Sequence, residues 1–180
     1  RPSYYSVKVK NVGEFAFEST EDPTEQSDLE FGTALARITG LEPDTWYKYR
    51  ILRNGKYLHG REGSFKTMPV KGSYEEIQFI SLSCSDSEKV GVWPKLDEFV
   101  RRQAPRFILM TGDQVYADKG KIDLWESFLN SASSLRRQAF AEKYFEHWSQ
   151  VYPARVMANV PVYMTWDDHD IRDGWGAFAG

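Results

Sequence analysis

Side chains that bind metal ions follow three predicted strands in the second part of the chain. They come from three segments, each directly after a strand: Ser83-Cys84, Thr111-Gly112-Asp113-Gln114-Val115-Tyr116-Ala117-Asp118, and Trp166-Asp167-Asp168-His169-Asp170. These segments supply thiolate, carboxylate, phenolate and imidazole groups, all of which are metal ligands. In sheets whose strands are joined by helical crossovers, ligands bind just beyond the carboxyl ends of the strands. The sequence therefore predicts a metal site at the edge of the sheet where the carboxyl ends of these three strands lie.

Each segment also has an ordinary structural interpretation. A single cysteine at a strand end is most often a small buried hydrophobe, and Gly112-Asp113 is a turn signal. The aspartates at positions 167, 168, 170 and 173 have only Arg172 as a local counter-charge. Because such a cluster repels itself, and because three strand ends carry ligands together, we favour a multivalent cation.

Other site types are excluded by spacing. The run that begins at Asp168 resembles a calcium-binding EF-hand loop, but its third acidic residue comes one place late and its twelfth position is Ala179 rather than Glu. The sequence has no Gly-x-Ser-x-Gly elbow and no Gly-Lys-Ser/Thr phosphate loop. Serine hydrolase and P-loop nucleotidase chemistry are therefore excluded.

Composition indicates a globular protein. The chain has 180 residues, 41% of them hydrophobic, and a net charge of −3. It has no apolar run of about 18 residues that would span a membrane and no signal segment. Since residue 1 is Arg rather than Met, the compartment stays undetermined.

Charge and cysteine content narrow the function further. Residues 1–70 carry 10 basic and 10 acidic residues, and residues 71–180 carry 13 and 16. No basic stripe is visible, so we expect no nucleic-acid surface. Cys84 is the only cysteine, which excludes an intrachain disulfide and a Cys-x-x-Cys metal site.

Residues 1–70 are predicted to form an all-β module. Alternating or aromatic segments predict five short strands at Tyr4–Lys10, Glu14–Phe17, Thr33–Ile38, Trp46–Arg53 and Gly63–Thr67. Asn54-Gly55 predicts a hairpin, and the acidic stretch Glu21–Glu30 predicts a loop. The segment Leu41-Glu-Pro-Asp-Thr-Trp-Tyr47 resembles the tyrosine corner of fibronectin type III sandwiches, with Tyr47 as the corner tyrosine. The alternative is an ordinary buried aromatic residue.

Residues 71–180 alternate between strand and helix patterns. Strands are predicted at 77–84, 107–110 and 160–165, and helices at 93–103 and within 122–157. This order is typical of an α/β sheet with crossovers. His147 falls in the second helical region and His59 in the β module, and we interpret both as surface or core residues.

The three strand-end motifs resemble those of the PhoD-like alkaline phosphatases, in the calcineurin-like metallophosphoesterase superfamily. The segment Phe65-Lys-Thr-Met-Pro69 is similar to the end of the fibronectin-like sandwich in the same architecture. The resemblance implies an incomplete N-terminal sandwich at 1–70 and the first half of an α/β metallophosphoesterase sandwich at 71–180. A purple-acid-phosphatase-like enzyme is the nearest alternative, but it carries Asp-x-Gly and Gly-Asn-His where this chain has Ser83-Cys84 and Asp167-Asp168-His169.

The resemblance also implies roles for individual residues. Asp113 would bridge two metal ions, Cys84 and Tyr116 would bind Fe(III), and Asp168 would bind Ca(II), with Asp167 as the alternative. His169 would donate a proton to the leaving oxygen or stabilise developing charge. The implied reaction is hydrolysis of phosphate mono- or diesters by a metal-activated hydroxide.

Further expectations concern the residues left out of the site, the location of the protein, the activity of this chain and an alternative function. Arg155 and Arg172 are left out of the site, because an arginine near an acidic cluster is more often a structural counter-ion. The resemblance implies a secreted or periplasmic location. Since both ends look cut, we expect the 180-residue chain by itself to bind metal poorly and to be inactive. A non-catalytic β-sandwich binding module on a metal-stabilised domain is the alternative from another class.

Overall fold

The computed structural model describes residues 4–19, 34–73, 76–86, 88–89, 91–119 and 133–177. The first part of the chain forms two antiparallel sheets. Their strands are β1 (Tyr5–Val9), β2 (Gly13–Ala16), β3 (Glu18–Ser19), β4 (Ala34–Leu35), β5 (Trp46–Arg53) and β6 (Lys56–Lys66). The larger sheet has the order β2-β1-β5-β6, and β3 pairs with β4.

The predicted hairpin at Asn54-Gly55 is confirmed. Both residues have positive φ angles, 50° and 75°, as a type I′ turn requires. The predicted strand at 63–67 and the segment after the turn form one long strand, β6, because a β-bulge near Ile51 keeps it paired with β5. The predicted strand Thr33–Ile38 is only two residues long, and the predicted loop Glu21–Glu30 lies outside the described residues.

Tyr47 makes the hydrogen bond that the corner pattern predicts. Its side chain is 8% exposed, and its hydroxyl oxygen accepts a hydrogen bond of 2.8 Å from the Glu42 backbone N–H. The ring stacks on Phe65 at 5.6 Å between centroids. The corner tie is therefore present, while the assignment of this module to the fibronectin type III fold stays a prediction.

The second part is an α/β unit with a parallel sheet of order β7-β8-β9. Its elements, in chain order, are β7 (Ile80–Leu82), α1 (Val92–Gln103), β8 (Ile108–Thr111), α2 (Ser133–Trp148), α3 (Val151–Asn159), β9 (Val162–Thr165) and a 3-10 turn (Asp168–Asp170). Within the predicted helical region 122–157, the described residues form two helices, because Gln150 has an extended backbone and starts α3. Residues 122–132 lie outside the described ranges.

The core of the α/β unit lies between the parallel sheet, α1 and α3. Its buried members are Trp93, Leu96, Val100, Ile108, Met110, Val156 and Val160. The central strand β8 contributes Ile108 and Met110, each 1% exposed. Because β8 is held in the core by these residues, the point at which the following loop leaves the sheet is fixed. No helix among the described residues has the length and apolar character needed to cross a membrane.

The antiparallel sheet contacts α3 along β6. The Tyr49 hydroxyl donates a hydrogen bond of 2.9 Å to the Ala158 carbonyl, and Ser64 Oγ bonds to Asn159 at 3.0 Å. Only glycine fits at Gly63, because a Cβ there would lie 1.9 Å from the Ala158 oxygen. The two parts of the chain are therefore packed backbone against backbone at this point.

Candidate metal centre

The loops after β7 and β8 continue the pairing of these strands. The Cys84 N–H donates to the Gly112 carbonyl at 3.2 Å, and the Ser85 N–H donates to the Asp113 carbonyl at 2.8 Å. Cys84 and Asp113 both have left-handed backbones, with φ of 58° and 52°. Non-glycine residues adopt this conformation rarely, and it is concentrated at functional sites. The fold therefore holds two predicted metal ligands in matching, unusual conformations at neighbouring strand ends.

Gly112 lets the loops after β8 and β9 approach each other. Its φ is 107°, and a Cβ at this position would lie 2.3 Å from the Cβ of Asp167. Because any side chain at position 112 would push Asp167 away, glycine is required here for close approach as well as for conformation. This contact brings the second and third motifs together.

Asp170 connects the same two motifs by hydrogen bonds. Its carboxylate is buried and accepts from the backbone N–H groups of Asp113, Gln114 and Val115, at 2.9, 2.9 and 3.3 Å. It also accepts from the Asp167 N–H at 3.0 Å. The carboxylate thus has four backbone donors, which compensate for its burial. Sequence analysis placed Asp170 in an acidic cluster and did not identify this role.

Asp113, Asp168 and His169 form a group suited to a metal ion. Their ligand atoms lie within 4.8 Å of one another, and Asp113 is the buried member. The His169 backbone N–H donates to Asp113 Oδ1 at 3.3 Å, which fixes this carboxylate against the 3-10 turn. Two carboxylates and an imidazole at this spacing are a normal ligand set for divalent cations.

Tyr116 brings a second set of ligand atoms to Asp113. Its hydroxyl contacts the Cys84 thiol and the Asp113 carboxylate, and burial together with these contacts raises the pKa of the phenol above its ordinary value. The centroids of the Tyr116 and His169 rings are 4.5 Å apart. Lys119 Nζ lies over the Tyr116 ring, 4.2 Å from its centroid. Asp113 therefore contacts Tyr116 and also belongs to the group that contains Asp168 and His169.

The two adjacent aspartates differ in their surroundings. Asp167 is exposed and its Oδ1 accepts from the Asp168 N–H at 2.9 Å, which caps the 3-10 turn. Asp168 belongs to the three-residue group, and it accepts from the His169 N–H at 3.0 Å and the Gly174 N–H at 2.7 Å. The Gly174 bond is the main reason that the pKa of Asp168 lies below its usual value. The geometry thus favours Asp168 over Asp167 as a ligand.

His169 is oriented by Asp118. Nδ1 of the imidazole lies 2.9 and 3.0 Å from the two carboxylate oxygens of Asp118. Burial acts to raise the pKa of Asp118, but hydrogen bonds from the Asp173 N–H and from His169 outweigh it, and the pKa lies below its ordinary value. Nε2 is on the other edge of the ring, 3.8 Å from Asp173 Oδ1. A carboxylate on Nδ1 thus leaves Nε2 to act toward a substrate.

His147 is a core residue, one of the two interpretations that the sequence left open, and it lies close to the candidate site. It is 1% exposed, and Nε2 lies 2.7 Å from Ser85 Oγ, one residue after Cys84. Its ring meets Trp93 edge to face at 6.1 Å. Burial lowers the pKa of His147 below its ordinary value. The only sequence signal for this position is a histidine on the apolar side of a helix.

Gln114 was also missed. It is 1% exposed, and its amide nitrogen donates to the Thr165 carbonyl at the end of β9. It therefore joins the carboxyl ends of β8 and β9. Arg155, in contrast, pairs with the buried Asp97 at 3.2 Å, as expected for a structural counter-ion.

The donor set fits a metal site, and its members differ in how deeply they are buried. Asp113 and Asp170 are buried and held by backbone donors, whereas Cys84 is exposed at the surface of the same edge. Thiol, phenol, carboxylate and imidazole groups lie together at one edge of the sheet, and all are metal ligands.

Comparisons with known proteins identify the family of this chain. A solved structure of PhoD matches 96% of this chain with a TM-score of 0.65 and 20% sequence identity. The chain spans 33% of the length of that protein. No curated protein gives a significant match. The sequence model of the PhoD-like phosphatases matches residues 79–179, which contain all three strand-end motifs, and the chain therefore belongs to the PhoD-like phosphatase family.

Proposed function

We propose that the full-length protein hydrolyses phosphate mono- or diesters at a two-metal site on the carboxyl edge of the parallel sheet, and that residues 1–180 supply part of that site. Membership of the PhoD-like phosphatase family supports phosphoester hydrolysis as the reaction class. The observation that carries the proposal is the position of Asp113, whose carboxylate contacts Tyr116 and lies within 4.8 Å of ligand atoms of Asp168 and His169. We propose that this carboxylate, which lies near both Tyr116 and Asp168, would be a ligand of both ions.

The proposed ligands fall into two groups according to the metal ion that each suits. Cys84 and Tyr116, a thiolate and a phenolate when ionised, suit Fe(III), and Asp168 offers the oxygen ligand that Ca(II) prefers. Asp113 would be shared between them. A bound pair of cations supplies Lewis acidity, neutralises phosphate charge and activates water. The chain's own contribution is to hold these ligands against mutual repulsion, which the Asp170 and Gly174 hydrogen bonds do.

His169 is the proposed proton donor or charge stabiliser. With Asp118 on Nδ1, the imidazole presents Nε2 outward, on an edge that also holds Asp113. Nε2 can donate a proton to the leaving alkoxide oxygen or a hydrogen bond to a phosphoryl oxygen. Asp118 stabilises the protonated ring and fixes its orientation, so it is a positioning residue.

Metal content and colour test the ligand assignment. Phenolate and thiolate ligands on Fe(III) give visible charge-transfer absorption, so we expect purified, iron-loaded protein to be coloured. Tyr116→Phe and Cys84→Ser should each weaken or shift the band and lower iron content, whereas Tyr152→Phe should not, because Tyr152 lies on α3 and contacts Arg155. If both site variants keep the band and the iron, Cys84 and Tyr116 are not ligands.

Adding a chelator distinguishes metal-dependent catalysis from a metal that only stabilises the fold. In the full-length protein, hydrolysis of a chromogenic phosphodiester should stop when a chelator is added and should return with Fe(III) and Ca(II), at a temperature where the protein stays folded. If the chelator lowers only the unfolding temperature and no hydrolysis is measurable before it is added, the protein is instead a metal-stabilised binding module.

A further inference from the structure

Four cationic side chains line one groove on the outer face of the antiparallel sheet. Lys8 lies on β1, Lys10 follows β1, and Lys48 and Arg50 lie on β5. The open groove has a volume of about 790 Å³ and reaches Asn159 at the end of α3. We propose that this basic groove binds a short chain of linked phosphate groups.

The strand register places like charges directly opposite each other. Lys8 pairs with Arg50, and the Lys10 N–H donates to the Lys48 carbonyl at 2.9 Å, which continues the same register. Side chains in such pairs are about 5 Å apart at Cβ, and opposite like charges destabilise an antiparallel sheet. Two adjacent pairs of this kind cost stability unless an anion lies between them.

The nearby carboxylates compensate for only part of this charge. Glu62 pairs with Arg50 at 2.9 Å, and Arg50 also lies over the Tyr57 ring at 5.2 Å. Glu14 is opposite Lys8, but its carboxylate accepts from the Ser6 hydroxyl at 2.6 Å. Within the described ranges, no carboxylate forms an ion pair with the three lysines of the basic groove.

The spacing of the cations favours a chain of phosphates. Side chains two residues apart on one strand are about 7 Å apart, so all four charges fall within a small area. In a chain of phosphates near neutral pH, each internal group carries one negative charge and each terminal group up to about two, whereas a carboxylate carries one. The surface is a groove rather than a plane, so it fits an extended chain better than the surface of a bilayer.

The basic groove is separate from the metal centre. Asn159 lies just before β9, whereas Asp168 and His169 lie just after it, at the opposite end of the strand. The sequence alone does not reveal this groove, because Lys48 lies 38 residues after Lys10 in the chain and the two meet only through the pairing of β1 with β5.

Titration of tripolyphosphate into chelator-treated protein tests the proposal. Lys10→Ala/Lys48→Ala should weaken binding by about tenfold and should make binding less sensitive to salt concentration, because two of the four cations are removed. The same double variant should unfold at an unchanged or higher temperature, because it removes a like-charge pair. The control Lys71→Ala/Lys95→Ala removes two exposed lysines outside the groove and should change neither property.

Three results would overturn the proposal. The first is equal tripolyphosphate affinity in the two double variants. The second is equally tight binding of a glutamate peptide of the same charge, which would mean that phosphate is not recognised. The third is binding to vesicles that contain an anionic lipid without any binding of tripolyphosphate.

Discussion

The carboxylate of Asp170 accepts a hydrogen bond of 2.9 Å from the backbone N–H of Asp113, 57 residues away in sequence. Asp113 has a left-handed backbone, and this bond helps to hold it there. The same carboxylate accepts from the Asp167 N–H, so one buried side chain fixes the loops after β8 and β9 together. The geometry of the candidate metal centre therefore depends on Asp170, which lies outside the group of Asp113, Asp168 and His169.

Replacing Asp170 by Asn should destabilise the protein strongly. The amide removes the negative charge and turns one acceptor position toward backbone N–H groups into a donor. We expect the free energy of unfolding to fall by about 2–4 kcal/mol, measured by denaturant titration. Glu76→Gln, an exposed carboxylate outside the site, is the matched control and should change it little. An Asp170→Asn protein as stable as the control would contradict this role for Asp170.

Loss of the His169 imidazole should affect turnover rather than folding. His169→Ala should lower turnover by about 10²-fold or more, with metal content and unfolding temperature nearly unchanged. Asp118→Asn should lower turnover by about 10- to 100-fold, because the imidazole loses its orienting carboxylate. Asp173→Asn should have a small effect, since the Asp173 side chain is 83% exposed and its Oδ1 is 3.8 Å from Nε2. Equal effects of the two Asp variants would show that Asp118 does not position the ring.

His147 should make stability depend on pH in the acid range. Burial lowers its pKa, aided by Lys143, while Asp86 and Glu146 act in the opposite direction. Below about pH 6.5 the unfolded chain protonates this histidine more readily than the folded protein does. Stability should therefore fall as pH is lowered from about 6.5 toward the folded pKa, by up to about 1.4 kcal/mol per pH unit.

Two variants test this dependence. His147→Gln keeps a polar group near Ser85 Oγ, does not titrate, and should show a flatter stability profile than the parent protein between pH 8 and 5. His59→Gln alters an exposed histidine and should leave the profile unchanged. A parent-like slope in His147→Gln would assign the acid sensitivity to other groups.

The parts of the site that the sequence predicted are those carried by local pattern. Strand periodicity predicts where β8 and β9 end, and turn and polar residues follow directly; in the structure Asp113, Asp168 and His169 lie together there, while their roles stay predictions. Asn54-Gly55 predicted its hairpin for the same reason, because the turn geometry is encoded in two residues.

The missed parts depend on contacts between distant segments. The bond between Ser85 and His147 spans 62 residues, and no local pattern distinguishes His147 from another helical core residue. Asp170 looked like its neighbours in sequence and differs from them only because packing buries it. Charge counting could not reveal the basic groove, since strand register decides which lysines meet.

The last prediction concerns Gly112, where conformation and close approach act together. Gly112→Ala would place a methyl group 2.3 Å from the Asp167 Cβ in a backbone with φ of 107°, so the loops after β8 and β9 must separate. Gly72→Ala is the matched control, because Gly72 also has a positive φ, 89°, but a Cβ there would meet no atom of the described residues within 4 Å. We expect Gly112→Ala to lower the free energy of unfolding by about 1–3 kcal/mol more than Gly72→Ala does. It should also weaken metal binding, measured by titration of the metal-free protein, because Asp113 and Asp168 would move apart. If the two alanine variants match in stability and metal affinity, the contact between Gly112 and Asp167 does not set the spacing of the two motifs.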